Sequence, residues 1–359
     1  MNKKIIFSAG GTGGHIFPAI NLMKHFYEKD YEVILVTDKR GKNFIKNYSK
    51  FKYYLLTAGT PTNKNILNKI LSIFIIIYSI LKAVTILRKE KADLIIGFGG
   101  YVSFPISFVS RFFNLPLFIY ENNLVLGRAN KHLLSSAKKI FLAKKIKKNF
   151  PKKYENKICE SGPILSKNII NYSQDNKSKT NKNFSILILG GSQGAKIFGE
   201  IVPLAAQMIK NKGYEIEINQ QCILSQKEKI SDFYKKNNIK NYVFEFDKDI
   251  LKLVLSSDLA ITRCGASTTA ELNHTLTPFI AVPLPKSIDN HQYLNAKFYE
   301  ERGCCWILEQ DNFSSKNLFS LLIEAIENKN KVNNMKNNMK KNYSNDVYNI
   351  IEEQIKEFI

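Results

Sequence analysis

Two short glycine-rich segments, half a chain apart, each follow an apolar run and precede a helical pattern. The first is Gly10-Gly11-Thr12-Gly13-Gly14 and the second spans residues 190–195. Short apolar runs bounded by turn residues are typical of buried parallel strands. Glycines let the backbone adopt positive φ and let a ligand approach it closely. This repeated strand–turn–helix unit predicts an α/β protein of two Rossmann-like, doubly wound domains facing one cleft.

The helix after the first turn indicates what the turn binds. Pro18 is expected at the first position of that helix, where a missing N–H costs nothing. A helix N-terminus offers free N–H groups to an anion such as a phosphate. His15 is the side chain of this turn that titrates near neutral pH. The segment therefore predicts a ligand site rather than a turn that serves only packing.

A nicotinamide site is the main alternative for this turn. The fingerprint G-x-G-x-x-G is half met, because Gly11 and Gly13 fit and Ile16 holds the third glycine position. Asp38 ends the second predicted strand, where an NAD enzyme places its ribose ligand. A nicotinamide enzyme would need that third glycine, and one glycine loop rather than two.

The chain length of 359 residues favours two domains. Residues 166–183 are rich in Asn, Lys and Ser and lack apolar periodicity, which predicts a linker. We expect an N-terminal domain at 1–165 and a C-terminal domain at 184–340. The last segment, 341–359, is expected to form a helix that packs back on the N-terminal domain.

Charge and cysteine usage narrow the possible partners. The net charge of +22 is compatible with nucleic acid, an anionic membrane or anionic substrates. No basic run is interleaved with aromatics on a nucleic-acid module, so nucleic acid is not expected. We attribute the positive charge partly to compositional bias and partly to a role in attracting the protein to an anionic membrane. The five cysteines lack metal-ligand spacing and predict free thiols.

The most apolar stretch, residues 66–87, has two interpretations. Its core lies between Lys69 and Lys82 and is too short for a confident spanning helix, which needs about 20 apolar residues. It is either a buried helix of the first domain or a helix whose outer face dips into a membrane surface. We favour the membrane surface, because the stretch is apolar nearly all round.

Polar residues follow several predicted strands. Glu121-Asn122-Asn123 follows the strand Leu117–Tyr120 and precedes a predicted helix, Arg128–Ala137. The carboxyl ends of parallel strands are where open α/β sheets bind ligands. Helix capping is the competing role for each polar residue.

The second half repeats this arrangement. Glu271 either completes a capping box from Thr268 or binds a ligand. Asp247-Lys248-Asp249 looks like an Asp-x-Asp metal motif, but it lies where Asp caps are ordinary, so no metal site is predicted.

Six stretches together closely resemble one family, the bacterial peripheral-membrane N-acetylglucosaminyltransferases that convert lipid I to lipid II in peptidoglycan synthesis. They occur in the family's order between residues 10 and 296 and are GGTGGHIFP, GFGGYVSFP, ENN, GGSQGA, RCGASTTAEL and PLPKSIDNHQYLNA. The resemblance implies the glycosyltransferase B fold, inversion at the transferred sugar and no cofactor. A related enzyme using a UDP-sugar and another glycolipid acceptor, and a non-catalytic lipid-binding scaffold, are the alternatives.

The resemblance also implies roles for single residues. Ser192 would bind the diphosphate of UDP-N-acetylglucosamine, and Glu271 would bind the ribose hydroxyls. Gln292 would bind the sugar, with Gln193 near it, and the backbone near Phe246 and Asp247 would meet the uracil. The first domain would contribute the remaining donor contacts, namely Thr12, Gly13, Gly14 and Asn123.

Acid–base chemistry and location follow from the same resemblance. His15 is the expected catalytic base, with hydrogen bonding to substrate as its alternative role, and His291 is a second candidate. The expected location is the cytoplasmic face of the bacterial inner membrane, where anionic lipid, lipid I and cell-wall synthesis and division proteins are the partners.

Two departures from the family stand out: Asn122 replaces a usual glutamine, and Leu165 stands where an arginine is common.

Overall fold

The computed structural model describes residues 3–45, 50–57, 59, 66–146, 150–172, 183–191, 195–342 and 346–359, without the side chains of residues 66–69. It divides into two compact units. The first comprises Met1–Ser166 together with Ser344–Ile359, and the second comprises Lys167–Tyr343. Of the expected linker, residues 173–182 lie outside the described residues, and Lys167–Ile170 forms a short helix.

The first unit is built on a parallel seven-stranded sheet, of order β3-β2-β1-β4-β5-β6-β7. The central strands are mostly apolar and almost entirely buried, as expected of parallel strands covered on both faces. The strands are β1 (Lys4–Ser8), β2 (Glu32–Thr37), β3 (Lys52–Leu55), β4 (Leu94–Gly97), β5 (Leu117–Glu121), β6 (Ala137–Leu142) and β7 (Ile158–Glu160). The helices before the linker are α1 (Gly13–Tyr27), α2 (Lys39–Ile45), α3 (Ile66–Glu90), α4 (Ser103–Val109) and α5 (Arg128–Leu133).

The second unit repeats this plan with a parallel six-stranded sheet, of order β10-β9-β8-β11-β12-β13. Its strands are β8 (Phe184–Leu189), β9 (Ile216–Gln221), β10 (Lys240–Phe244), β11 (Leu259–Thr262), β12 (Phe279–Ala281) and β13 (Cys305–Ile307). Its helices are α6 (Lys167–Ile170), α7 (Lys196–Asn211), α8 (Lys227–Lys236), α9 (Ile250–Ser256), α10 (Ala266–His274), α11 (His291–Glu300), α12 (Ser315–Glu327) and α13 (Lys329–Lys341). The predicted pair of doubly wound units is confirmed.

The strand order reverses at one place in each sheet, and glycine turns follow the strands there. In the first unit β1 pairs with β4, and in the second β8 pairs with β11. Ligands of open α/β sheets bind at the carboxyl ends of strands at such switch points. The turns after these four strands are therefore the first places to look for a site.

The C-terminal helix α14 (Val347–Lys356) belongs to the first unit. His25 Nε2 lies 2.8 Å from Glu352 Oε2, and both side chains are buried. The Tyr348 hydroxyl donates a hydrogen bond to the Leu165 carbonyl. These contacts attach the end of the chain to α1 and to the segment that precedes the linker.

Helix α3 presents a broad apolar face to solvent. By length and composition, its segment Ile70–Glu90 is the one candidate membrane span among the described residues, and 28% of its most apolar window is buried. The outward face of this helix is therefore not part of the core, as both interpretations of the stretch allow. The exposed large apolar side chains of this face are Ile70, Leu71, Ile73, Phe74, Ile77, Tyr78 and Leu81.

Two predicted helix limits are wrong. Helix α1 begins at Gly13 rather than Pro18, because Thr12 takes the extended N-cap conformation and the five residues before Pro18 are already helical. The helix predicted at 128–137 ends at Leu133, and Ala137 instead opens β6 by pairing with Leu117. Strand pairing at a buried position outweighs the helical propensity of alanine.

Candidate active site

The first glycine turn forms the N-terminus of α1. Thr12 is the N-cap residue, and it is exposed with no capping hydrogen bond from its side chain. Gly13 and Gly14 form the start of the helix, whose first N–H groups have no partner within the helix. The turn thus presents an exposed hydroxyl and helix-terminal N–H groups at the carboxyl end of β1.

His15 packs against the second glycine turn of the same unit. Gly99 and Gly100 have φ of +84° and +79°, a conformation that favours glycine. A Cβ placed on Gly99 would lie 3.4 Å from His15 Nε2, and one on Gly100 would lie 3.5 Å from His15 Nδ1. The two turns thus form one surface, with the half-buried imidazole between them.

Glu121 organises the polar residues that follow β5. The side chain is 2% exposed. Its Oε2 accepts hydrogen bonds from Gly127 N at 2.8 Å and Asn130 Nδ2 at 3.0 Å, and its Oε1 accepts from Asn123 N at 3.1 Å and Asn123 Nδ2 at 3.3 Å. Burial raises the pKa of Glu121, and these N–H groups offset part of that rise. The carboxyl group therefore holds Asn123 and the start of α5 in place.

In the second unit, Glu271 lies on the short helix α10. The N-cap of this helix is Gly265, so Thr268 is inside the helix and the capping box suggested for Glu271 is wrong. No hydrogen bond or ion pair of the Glu271 carboxyl is found within the described ranges. Burial raises the pKa of Glu271 to about 7. A desolvated carboxyl without a protein donor is suited to accept hydrogen bonds from ligand hydroxyls.

Gln292 joins the turns after two neighbouring strands. Its Oε1 accepts hydrogen bonds from Cys264 N at 3.2 Å and Leu284 N at 3.0 Å, which follow β11 and β12. The amide oxygen is therefore used within the protein, and the Nε2 group is the part of the side chain that can donate to a ligand. His291, the second candidate base, contacts Ile288 O through Nδ1 at 2.8 Å.

Arg263 and Asn295 fix the loop between β11 and α10. Arg263 is buried, and its guanidinium donates to the carbonyls of Val282 and Pro283 at 3.1 Å each. Asn295 is fully buried and donates from Nδ2 to Cys264 O at 3.1 Å. Burial lowers the pKa of Arg263. The loop that leads into the helix carrying Glu271 is thus held by side chains beneath it.

The second glycine-rich turn is described only in part. Gly191 has φ of +79°, and among the described residues a Cβ placed there would meet no atom within 4 Å. The backbone is therefore open to a ligand at this point. Ser192 and Gln193, two of the predicted donor contacts, lie outside the described residues.

The Asp-x-Asp segment makes local contacts. Asp247 Oδ1 accepts from Asp249 N at 2.6 Å, and Oδ2 accepts from the Tyr242 hydroxyl at 2.9 Å. Asp249 is the N-cap of α9. In the described part of the chain, no group of three or more His, Cys, Asp or Glu residues is placed to hold a metal ion. Phe246 beside this segment is 69% exposed.

Both halves of the chain match domains of one enzyme family. The glycosyltransferase family 28 N-terminal domain matches residues 5–142, and its C-terminal domain matches residues 185–354. The structure is similar to the crystal structure of MurG from Acinetobacter baumannii, with a TM-score of 0.79 and 25% identity over 99% of this chain and 100% of the other.

Whole-chain relatives carry one shared name. The chain is 42% identical over 353 residues, 97% of each protein, to the UDP-N-acetylglucosamine–N-acetylmuramyl-(pentapeptide) pyrophosphoryl-undecaprenol N-acetylglucosamine transferase of Pelagibacter ubique. It is 39% identical over 328 residues, 91% of each, to the Rickettsia canadensis protein of that name. This chain belongs to that transferase family. The predicted glycosyltransferase activity and fold are confirmed, and the nicotinamide and scaffold alternatives are not supported.

Leu165 stands at the position, near the end of the first domain, where the resemblance implies an arginine. Leu165 is 3% exposed, and its carbonyl accepts the hydrogen bond from Tyr348. The side chain is part of the core of the first unit and cannot reach a ligand.

Sequence reasoning missed how Glu121 and Arg263 act in this transferase. The sequence does show a charged residue at the end of a buried strand in both places, but helix capping explains such a residue equally well. Only the packed structure shows that each side chain is desolvated and bonded to backbone groups of neighbouring loops.

The Gly99→Ala variant of the transferase should be less stable and less active. A φ of +84° costs an alanine roughly 1–2 kcal/mol, and the new methyl group would contact His15 Nε2 at 3.4 Å. Displacing a positioned side chain by a fraction of an ångström should lower kcat about tenfold. Thermal unfolding and steady-state kinetics measure the two effects.

Gly213→Ala is the matched control. Gly213 has φ of +94° and open space around its Cβ position, so it isolates the backbone strain. Both variants should lose similar stability, and only Gly99→Ala should lose kcat. Equal kcat values for the two variants would contradict the contact between Gly99 and His15.

Proposed function

We propose that this transferase moves N-acetylglucosamine from UDP-N-acetylglucosamine to the 4-hydroxyl of the muramyl sugar of lipid I. The product is lipid II, the precursor of peptidoglycan. The observation that carries the proposal is the 42% identity over 97% of a relative named for this reaction.

The reaction is a single displacement with inversion. The acceptor hydroxyl oxygen bonds to the anomeric carbon of the donor as the bond from that carbon to the diphosphate breaks. His15 accepts the hydroxyl proton, and UDP leaves with the electron pair of the broken bond. The imidazole suits this step because it is half-buried between two glycine turns, whose lack of side chains lets a ligand approach the backbone closely.

The second unit binds the donor. The Glu271 carboxyl accepts hydrogen bonds from the ribose hydroxyls, and Gln292 donates from Nε2 to the sugar. Ser192, Gln193 and the N–H groups of the second glycine turn take the diphosphate, whose charge the helix N-terminus stabilises. No cofactor takes part in this scheme.

The first unit binds the acceptor and completes the donor contacts. Thr12, Gly13 and Gly14 contribute a hydroxyl and helix-terminal N–H groups, and Asn123 is held in place by Glu121. Residues 1–165 form the acceptor domain and 184–340 the donor domain, joined by the linker 166–183. Residues 341–359 complete the acceptor domain.

The test is UDP release from UDP-N-acetylglucosamine with a short-chain lipid I analogue in the presence of EDTA. Acceptor-dependent release supports the transferase without a metal at Asp247 and Asp249. Release that returns only with magnesium would restore that metal site. Release with a different glycolipid alone would indicate another acceptor.

The enzyme acts as a peripheral protein on the cytoplasmic face of the inner membrane. The outward apolar face of α3 supports this location, because contiguous exposed apolar surface marks a membrane or protein contact. Lys82, Arg88 and Lys89 are exposed on the same helix and suit anionic headgroups. The lipid-linked acceptor and cell-wall synthesis and division proteins are its partners there.

The double variant Phe74→Glu, Leu81→Glu should bind membranes weakly. These side chains are 65% and 63% exposed, and burying each in lipid contributes about 1.5–3 kcal/mol. We expect a loss of vesicle affinity of about 100-fold or more, measured by sedimentation with vesicles that contain anionic lipid.

Leu224→Glu is the control, because Leu224 is 67% exposed in the second unit. It should bind the same vesicles as the wild type does. Unchanged binding of the double variant, or an equal loss in the control, would contradict the assignment of α3.

A further inference from the structure

We propose that Asn122 is a positioning residue that holds the first turn of α1, and through it His15. The inference rests on the proposed function, in which His15 accepts the proton of the acceptor hydroxyl. It concerns a position where this chain departs from the usual residue of its family.

The need for such a residue arises from Pro18. Helix α1 begins at Gly13, so Pro18 lies inside the helix. Proline has no N–H, and the carbonyl four residues earlier, that of Gly14, loses its helical donor. Asn122 Nδ2 donates to Gly14 O at 3.1 Å and takes the place of the missing N–H. Without the Asn122 amide, the Gly14 carbonyl, which is next to His15, would lose the donor that replaces the proline N–H.

The orientation of the Asn122 amide is set from its other side. The side chain is 4% exposed. Its Oδ1 lies 3.4 Å from the hydroxyl of Tyr120, which itself accepts from Ile164 N at 3.0 Å. The Tyr120 hydroxyl can donate to Asn122 Oδ1 or to Gly162 O, which lies 3.3 Å away, and with the amide oxygen facing this hydroxyl the amide nitrogen faces the Gly14 carbonyl. A carboxylate at this position would present an oxygen to that carbonyl and repel it.

The consequence reaches the imidazole directly. His15 follows Gly14, and glycine is the residue least able to hold its own conformation. The ring lies beside Gly99 and Gly100, where an added Cβ would come within 3.4–3.5 Å of its nitrogens. A shift in the first turn of α1 therefore moves the base with respect to the acceptor hydroxyl.

The experiment compares Asn122→Leu with Asn122→Gln in the full-length protein. Leucine has a similar volume and no donor, whereas glutamine keeps the amide. We expect Asn122→Leu to lower kcat about 10- to 100-fold with the KM for UDP-N-acetylglucosamine nearly unchanged. Asn122→Gln should recover most of the activity. In a His15→Ala background, Asn122→Leu should cause no further loss of kcat.

A second measurement does not depend on turnover. In the imidazole NMR spectrum, the His15 signals can be assigned by their absence in His15→Ala. Asn122→Leu should shift those signals and leave the signals of the exposed His132 in place. Tyr120→Phe, which removes the hydroxyl that contacts the amide oxygen and that also accepts from Ile164 N, should shift them in the same direction by less.

Several results would overturn the inference. Equal losses in Asn122→Leu and Asn122→Gln, an additive loss in the His15→Ala background, or unchanged His15 signals would each do so. If the wild type releases no UDP with the lipid I analogue, the proposed function fails. The imidazole spectrum then still decides whether Asn122 holds His15.

Discussion

Replacing His15 with alanine is expected to lower kcat about 100- to 10,000-fold, the range typical of losing a general base. The KM for UDP-N-acetylglucosamine should change little, because the proposed function assigns most donor contacts to residues of the second unit. The effect is large because the imidazole is the titratable group between the two glycine turns of the first unit. Steady-state UDP release with a soluble lipid I analogue measures both constants.

His132→Ala is the matched control for this variant. His132 is an exposed histidine on α5 of the same unit, and its loss should leave kcat near the wild-type value. Thermal unfolding separates lost chemistry from lost packing beneath the ring. Equal losses in kcat and in donor affinity for His15→Ala would make His15 a binding residue instead.

Replacing Glu271 with glutamine is expected to raise the dissociation constant for UDP-N-acetylglucosamine about 10- to 100-fold. Hydrogen bonds to a charged group contribute about 1.5–3 kcal/mol, and the amide loses that charge and one acceptor oxygen. In the wild type, affinity should also fall as the pH drops through about 7, where the Glu271 carboxyl takes up a proton. Titration calorimetry between pH 6 and about 8.5 measures both effects.

The same substitution should stabilise the protein without ligand. The pKa of Glu271 is raised to about 7 in the folded state, so the folded state binds the proton more tightly than the unfolded state does. Stability therefore falls as the pH rises from the unfolded pKa to about 7. Glu271→Gln removes the free-energy cost of ionising a buried carboxyl, on the order of 1–3 kcal/mol. The variant should therefore melt at a higher temperature than the wild type at alkaline pH.

Glu228→Gln, at an exposed position on α8, is the control for removing a carboxylate from the second unit. It should alter neither donor affinity nor its pH dependence. A pH-independent donor affinity in the wild type would contradict the role of Glu271.

The limits of prediction from sequence are clearest at α1. The apolar run and the glycines indicate strand, turn and helix correctly, because these signals are local. The start of the helix was misplaced at Pro18, since proline at the first turn is the common case. The structure tolerates Pro18 farther inside because Asn122 supplies the missing donor to Gly14, from which it is 108 residues away in sequence.

Glu271 illustrates the same limit at the candidate site. Its spacing from Thr268 is that of a capping box, and a sequence cannot show which residue is the N-cap. The loop before α10 is held from below by Arg263 and Asn295, and this places Gly265 at the N-cap. The Glu271 carboxyl is then desolvated, and it accepts no hydrogen bond from an N–H group at the start of the helix.

The sequence by itself determined two parallel α/β units, the glycine turns at their switch points and the family. These follow from local periodicity, from glycine's access to positive φ, and from motifs read in order. Only the tertiary structure decided which buried polar groups bond to which loops, and that the outward face of α3 stays exposed. Those outcomes depend on desolvation and on contacts between distant segments, which no local pattern encodes.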